Sequence, residues 1–195
     1  MSEKPSRKQQ ILEALCTELE KSPGERITTA GLAKAVGVSE AALYRHFPSK
    51  ARMFEGLIDF SEETIFGLIN RILEDHNAVD KRSEHILTLL LGFAAKNPGI
   101  TRILIGDALV GETDRLRSRI GQFYDRLQTQ FKQVLREGQM RGEMVEALDV
   151  NAAANLMLAI AEGRMVQYVR SSFADNPMTH WDKQWPLIRQ GLFAT

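Results

Sequence analysis

Between Thr28 and Lys50 stands a run of side chains suited to hydrogen-bonded contact rather than to bond making or breaking. It holds the hydroxyls of Thr28, Thr29 and Ser39, the carboxylate of Glu40, the phenol of Tyr44, the guanidinium of Arg45, the imidazole of His46 and the ammonium of Lys50. Cations and hydroxyls of this kind meet phosphate oxygens, and short polar groups meet base edges, so the mixture points to nucleic acid. Ahead of it Lys4, Arg7 and Lys8 form a basic arm, either reaching to a DNA backbone or serving as a soluble terminus. Residue types of catalysis are scattered. His46, His76, His85 and His180 are far apart, and there is no phosphate-cradling glycine loop, H-E-x-x-H, Cys/His cluster or nucleophile-elbow sequence. Acid pairs such as Glu62-Glu63 fit helix surfaces. The sequence predicts no catalytic residue, no metal site and no cofactor.

The stretch that must position these groups is TTAGLAKAVGVSEAALYRHF, Thr28 to Phe47. Thr28 or Thr29 can cap a first helix by accepting from its free N–H groups. Leu32, Ala33 and Val36 repeat at helical spacing and share a buried face. Gly37 follows where a helix end commonly turns left-handed. Val38 plugs the corner, and Ser39 caps a second helix, Glu40 to His46. Ala42 and Leu43 supply that helix's apolar contacts, while Ser39, Glu40, Ala41, Tyr44 and Arg45 lie largely on its other faces. Small Ala33 opposite Ala41 and Ala42 lets the two helices cross closely. An ordinary helical hairpin would read similarly, but this is helix-turn-helix geometry, with the second helix in the DNA major groove.

Charge agrees. The net charge is +0, which argues against an indiscriminate nucleic-acid coat. Residues 1–52 carry nine Lys and Arg against six Asp and Glu, +3, which leaves −3 on residues 53–195. A basic head on an acidic body suits a compact DNA reader. At 44% hydrophobic and 26% charged the chain can bury a sizeable core. Cys16 is the single cysteine, so no internal disulfide forms, and its helical setting suggests a small core residue. No signal peptide opens the chain and no apolar run would span a membrane, so a cytoplasmic protein is expected.

The remaining pattern is helical throughout, predicting an all-α protein. Ile11, Leu12, Leu15 and Leu19 stripe a first helix that Ser22-Pro23-Gly24 ends. From Ser49 a long helix runs to about Asp75 on Met53, Phe54, Leu57, Ile58, Ile65, Leu68, Ile69 and Ile72, with Phe60 and Phe66 at the edges of the stripe. Ser83 to Lys96 is so leucine-rich that it is either buried all round or keeps one face for a partner. Asn97-Pro98 restarts a short helix to Ala108, with Asn as its cap and Pro at the first position. Glu112 to about Arg141 buries Leu116, Ile120, Phe123, Leu127, Phe131, Val134 and Leu135, and its opposite, charged side reads as solvated. Gly138 and Gly142 end it. Asp149 starts an Ala- and Met-rich helix to about Phe173, and a last helix follows Pro177.

The run LYRHFPSKARMF, Leu43–Phe54, resembles the recognition helix and following helix start of the TetR family. The resemblance implies a DNA head over 1–48 and a helical body over 49–195 that dimerises through its last two helices. Leu156, Ile160 and Met165 on one, and Trp181, Trp185 and Ile188 on the other, would supply the dimer contact. It further implies that Thr28, Tyr44, His46 and Lys50 meet phosphates, Ser39, Glu40, Ala41 and Arg45 face base edges, and Thr29 belongs to the same interface. Within that family RITTAGLAKAVGVSEAALYRHFPSKARMF, LLLGFAAKNPGITRIL, QVLREGQMR and the closing WPLI resemble the nucleoid occlusion factors. Such proteins, bound to chromosomal DNA as dimers, antagonise filaments of the tubulin-like division protein FtsZ. The resemblance carries a partner surface onto Phe60, Leu89, Gly92, Lys96 and Asn97. It departs at Leu68, where an Arg is expected, with Arg71 three residues on. Two other functions stand as rivals: a ligand-gated repressor, which needs a pocket in the body, and a DNA-architectural protein, which a neutral chain suits poorly.

Overall fold

The computed structural model describes residues 6–21, 24 and 26–194, and Lys4 of the basic arm lies outside them. Among the described residues the chain is all-α: α1 (Arg7–Lys21), α2 (Thr29–Val36), α3 (Glu40–His46), α4 (Lys50–Asp75), α5 (Val79–Lys96), α6 (Pro98–Leu104), a 3-10 turn (Asp107–Leu109), α7 (Asp114–Met140), α8 (Val150–Arg170) and α9 (Trp181–Leu192). A bridge between Met144 and Phe193 is the sole strand-like pairing among them. It fastens the chain's end to the α7–α8 connection. The elements form two compact units, Met1–Ser61 with Asn97–Ile120 and Glu62–Lys96 with Gly121–Thr195.

The first unit reaches beyond the expected head of residues 1–48 because α6 packs on α1. Gly99 sets how closely: a Cβ there would stand 2.3 Å from the Cys16 carbonyl oxygen, so only glycine permits this approach of the two backbones. Arg102 of α6 is 1% exposed. Its Nη1 donates to the Leu19 carbonyl at 2.8 Å and its Nε to Asp107 at 2.5 Å. A buried guanidinium persists only with such partners. Cys16 is half-buried rather than core, and burial, then Glu13 and Glu20, push its thiol up to about 12. Asn97 takes the cap position of α6 but its side chain makes no cap hydrogen bond; Pro98 follows in the first turn. The helix stops at Leu104 rather than Ala108, and the left-handed Gly106 (φ 80) then redirects the chain into the 3-10 turn.

Helix α7 buries all seven of its predicted apolar residues. Its charged side is not simply solvated. In the first unit Arg115 pairs with Glu55 at 2.7 Å and Arg119 with Asp59 at 2.6 Å; in the second Arg126 pairs with Glu62 at 3.4 Å and stacks 3.9 Å from the Phe66 ring centroid. Spacing shows that charges share a side but not what acids face them. Leu68 likewise leaves its expected stripe and is exposed.

In the second unit α5 begins at Val79, ahead of the expected Ser83, because Glu143 accepts the Val79 N–H at 2.7 Å from across the fold. Gly138 does not end α7. It lies inside the helix where a Cβ would meet Val79 at 2.6 Å, and Gly142 (φ 72) makes the turn. Helix α8 ends at Arg170, short of Phe173, since Ser172 and Phe173 are left-handed (φ 51 and 68). Arg164 holds the following loop by donating to the carbonyls of Pro177 and Thr179, each at 2.6 Å, and to Gln184.

Asp149 caps α8 as expected, its Oδ1 accepting from Asn151 at 2.7 Å and Ala152 at 2.9 Å. Those two amides hold its carboxyl below the usual aspartate range. A depressed folded-state value means that the cap's stabilisation is present above the unfolded-chain range and is lost as pH falls through the folded one. Acidification below the ordinary aspartate range should therefore lower the exchange protection of the Asn151 and Ala152 amides. Asp149→Asn, which still caps, should remove that pH dependence.

Candidate nucleic-acid interface

The first unit builds the interface from hydrogen bonds that its sequence can be seen to require. Thr28 is extended (φ −105, ψ 147), and its Oγ1 accepts the Gly31 N–H at 3.1 Å, which makes it the cap of α2. Gly37 (φ 72) turns the chain, its N–H closing on the Ala33 and Lys34 carbonyls. Ser39 caps α3, accepting from Ala42 at 3.1 Å. Leu32, Ala33 and Leu43 are buried beneath, Val36, Val38 and Ala42 half-buried at the corner. A seven-residue helix would not persist alone. Packing on α1 and α2, together with the Ser39 cap, is what holds α3 in place.

Ser39, Glu40, Ala41, Tyr44 and Arg45 are all exposed, as is Thr28; Thr29 and His46 are half-buried. Arg45 and His46 occupy the last turn of α3, where cations suit the helix dipole. Arg7, Arg45 and His46 line one cleft with Ile11, Val38 and Ala42, so one arm cation and the end of α3 converge on a common point. Lys8 is exposed on the first turn of α1.

Two arrangements went unseen in the sequence. Thr29, one residue past the cap, donates from Oγ1 to Glu40 Oε2 at 2.8 Å, tying the start of α2 to the start of α3. Lys50 is only partly exposed, its Nζ 2.6 Å from Glu112 Oε1 and 5.5 Å from the Phe54 ring centroid. A phosphate reaching Lys50 must compete with that carboxylate. Arg26 also lies by Glu112, at 4.0 Å. Both pairs join residues distant in sequence, which no local pattern signals.

Of the expected partner residues on α5, Leu89 and Gly92 are half-buried and Lys96 is exposed. They stand three and seven positions along one helix and so share a face. Ile86, Leu87, Leu90, Leu91, Phe93 and Ala94 of the same helix are buried, so α5 is not buried all round. In the first unit Phe60 is 48% exposed and Asn97 half-buried. Among the expected dimer residues Leu156 is exposed and Ile160 and Ile188 half-buried, whereas Met165, Trp181 and Trp185 are buried by their own chain. Trp181 donates its indole N–H to Thr88 at 2.8 Å.

Residues 11–57 match the family model of bacterial regulatory proteins of the tetR family, and residues 78–193 the SlmA-like, tetracyclin repressor-like C-terminal domain. The nucleoid occlusion factor SlmA of Shewanella woodyi is 57% identical over 194 residues, covering 100% of this chain and 98% of that one. The SlmA of a Marinomonas species is 56% identical, covering 98% of this chain and 97% of its own. The chain belongs to the SlmA nucleoid occlusion factors of the TetR family. Solved structures carry the same fold at low identity. The MbdR regulator of Azoarcus sp. CIB has a TM-score of 0.82 at 17% identity, covering 97% of this chain and 100% of its own. The transcriptional regulator FadR of Bacillus subtilis, in complex with stearoyl-CoA, has a TM-score of 0.74 at 18% identity, covering 93% and 97%. The SlmA and TetR families are DNA-binding regulators rather than enzymes. No helix among the described residues is long and apolar enough to cross a membrane.

Proposed function

We propose that the protein is a sequence-specific DNA-binding nucleoid occlusion factor, which as a DNA-bound homodimer antagonises FtsZ polymers and blocks division-ring assembly over the nucleoid. Identity of 57% across the whole chain to a protein of that name is the observation that carries the reading, since it spans head and body alike. The DNA part is supported by the capped α3 with its exposed polar face. A single short helix meets few base pairs, so a dimer with heads about one helical turn or a simple multiple apart, roughly 34–36 Å per turn, and a pseudo-palindromic site follow.

For the dimer contact, α8 offers Leu156 at 49% and Val166 at 43% exposure, with small Ala152, Ala159 and Gly163 beside them, and α9 offers Leu187 at 71%. Residues already buried at home, Met165, Trp181 and Trp185, would support these from behind. FtsZ contact falls to Phe60, Leu89, Gly92, Lys96 and Asn97. The protein would be cytoplasmic and nucleoid-associated.

The test is FtsZ polymerisation, followed by sedimentation and light scattering, with the protein alone and with a duplex it selects from random-sequence DNA. Filament loss only with the selected duplex is expected. No effect despite tight DNA binding would overturn the reading and return the chain to ligand-gated repressors.

A further inference from the structure

The Thr29–Glu40 hydrogen bond stands at the tip of the element that enters the groove, and it caps neither helix. Thr28, not Thr29, caps α2, and Ser39, not Glu40, caps α3. What the bond does is fix a side chain. Glu40 opens α3 and is exposed, and a free glutamate there would sample many rotamers. With Oε2 accepting from Thr29 at 2.8 Å, the carboxylate is held in one direction. A carboxylate can accept at both oxygens, so an acceptor site remains.

A carboxylate brought to DNA is a liability unless it meets a donor. The phosphates repel it, and an acceptor-bearing base edge opposite leaves two acceptors facing one another. Among major-groove edges guanine shows N7 and O6 acceptors, thymine an O4 acceptor and a methyl, and adenine an N7 acceptor beside its N6 donor. Cytosine alone presents an N4 donor with no acceptor beside it. We propose that Glu40 is a specificity-determining residue that accepts from the N4 amine of a cytosine in each half-site, and that Thr29 is the positioning residue that aims it. This rests on the DNA-binding reading above and adds which base is read and by what.

Binding is measured by fluorescence anisotropy at fixed salt, on a duplex selected by the wild-type protein and on variants in which each C·G pair of the half-site is changed in turn. One C·G pair should prove to matter by about tenfold or more per half-site, the range of a good side-chain-to-base contact. Glu40→Gln, which presents a donor and an acceptor together, should lose that preference and accept A·T at the same pair. Thr29→Val should shrink the ratio at that pair several-fold, and Thr29→Ser should restore it. The readout is a ratio between duplexes, which a uniform loss of affinity or of folded protein leaves unmoved. Glu40→Gln and Thr29→Val rejecting the same duplexes in wild-type ratio would overturn the proposal and leave the DNA-binding reading standing. A wild-type protein that selects no duplex would overturn both.

Discussion

Arg102→Ala should destabilise the protein by about 3–5 kcal/mol, from a lost buried hydrogen bond together with the void that a large side chain leaves. The guanidinium is 1% exposed and occupies the space between α1, α6 and the 3-10 turn. Its loss removes the donation to the buried Leu19 carbonyl, about 1–3 kcal/mol by itself. Asp107 is a lesser matter, because a third of its side chain is exposed and water can replace the guanidinium. Asp107→Asn should accordingly cost much less than Arg102→Ala. Arg102→Met separates volume from hydrogen bonding: it fills the void but removes the same donation, and should fall between the two. Urea unfolding with an unchanged slope would report this as a shift in midpoint. The damage lies in the unit that holds the helix-turn-helix, so DNA affinity should fall with it at temperatures near the new transition. An Arg102→Ala protein as stable as wild type would show that α6 docks on α1 through Gly99 alone.

That arginine marks the boundary of what the sequence could tell. The head was legible because its signals are local. Thr28, Gly37 and Ser39 declare caps and a turn within a few residues, and Leu32, Ala33 and Leu43 declare the buried side, so α3 falls at Glu40–His46 as expected. The apolar side of α7 was legible for the same reason. What stayed hidden is long-range and polar. Glu143 starts α5, Glu112 holds Lys50, Glu55 and Asp59 meet α7 arginines, and Thr29 aims Glu40. Each is an ordinary surface charge or hydroxyl until the fold supplies its partner. Burial within one chain was equally hidden: Trp181 and Trp185, which the resemblance places at the dimer contact, are enclosed by their own α5 and the chain's end.

The second large effect separates the two activities. Lys96→Asp should leave DNA affinity within about twofold of wild type and abolish the effect on FtsZ filaments. Lys96 closes α5 and is exposed, so reversing its charge forfeits only a helix-dipole interaction, about 0.3–1 kcal/mol. It belongs to a different compact unit from the helix-turn-helix. At a protein contact the same change acts differently. An ammonium placed to meet an acidic group becomes a carboxylate facing it, and like-charge juxtaposition across an interface costs several kcal/mol, at least a hundredfold in affinity. Lys96→Ala removes attraction without adding repulsion and should give a partial loss that narrows as salt is raised. Anisotropy on the selected duplex and FtsZ sedimentation, run on the same preparations, read both activities. If Lys96→Asp weakened DNA binding as much as filament antagonism, the charge would be acting through the fold, and the assignment of α5 to the partner would fail.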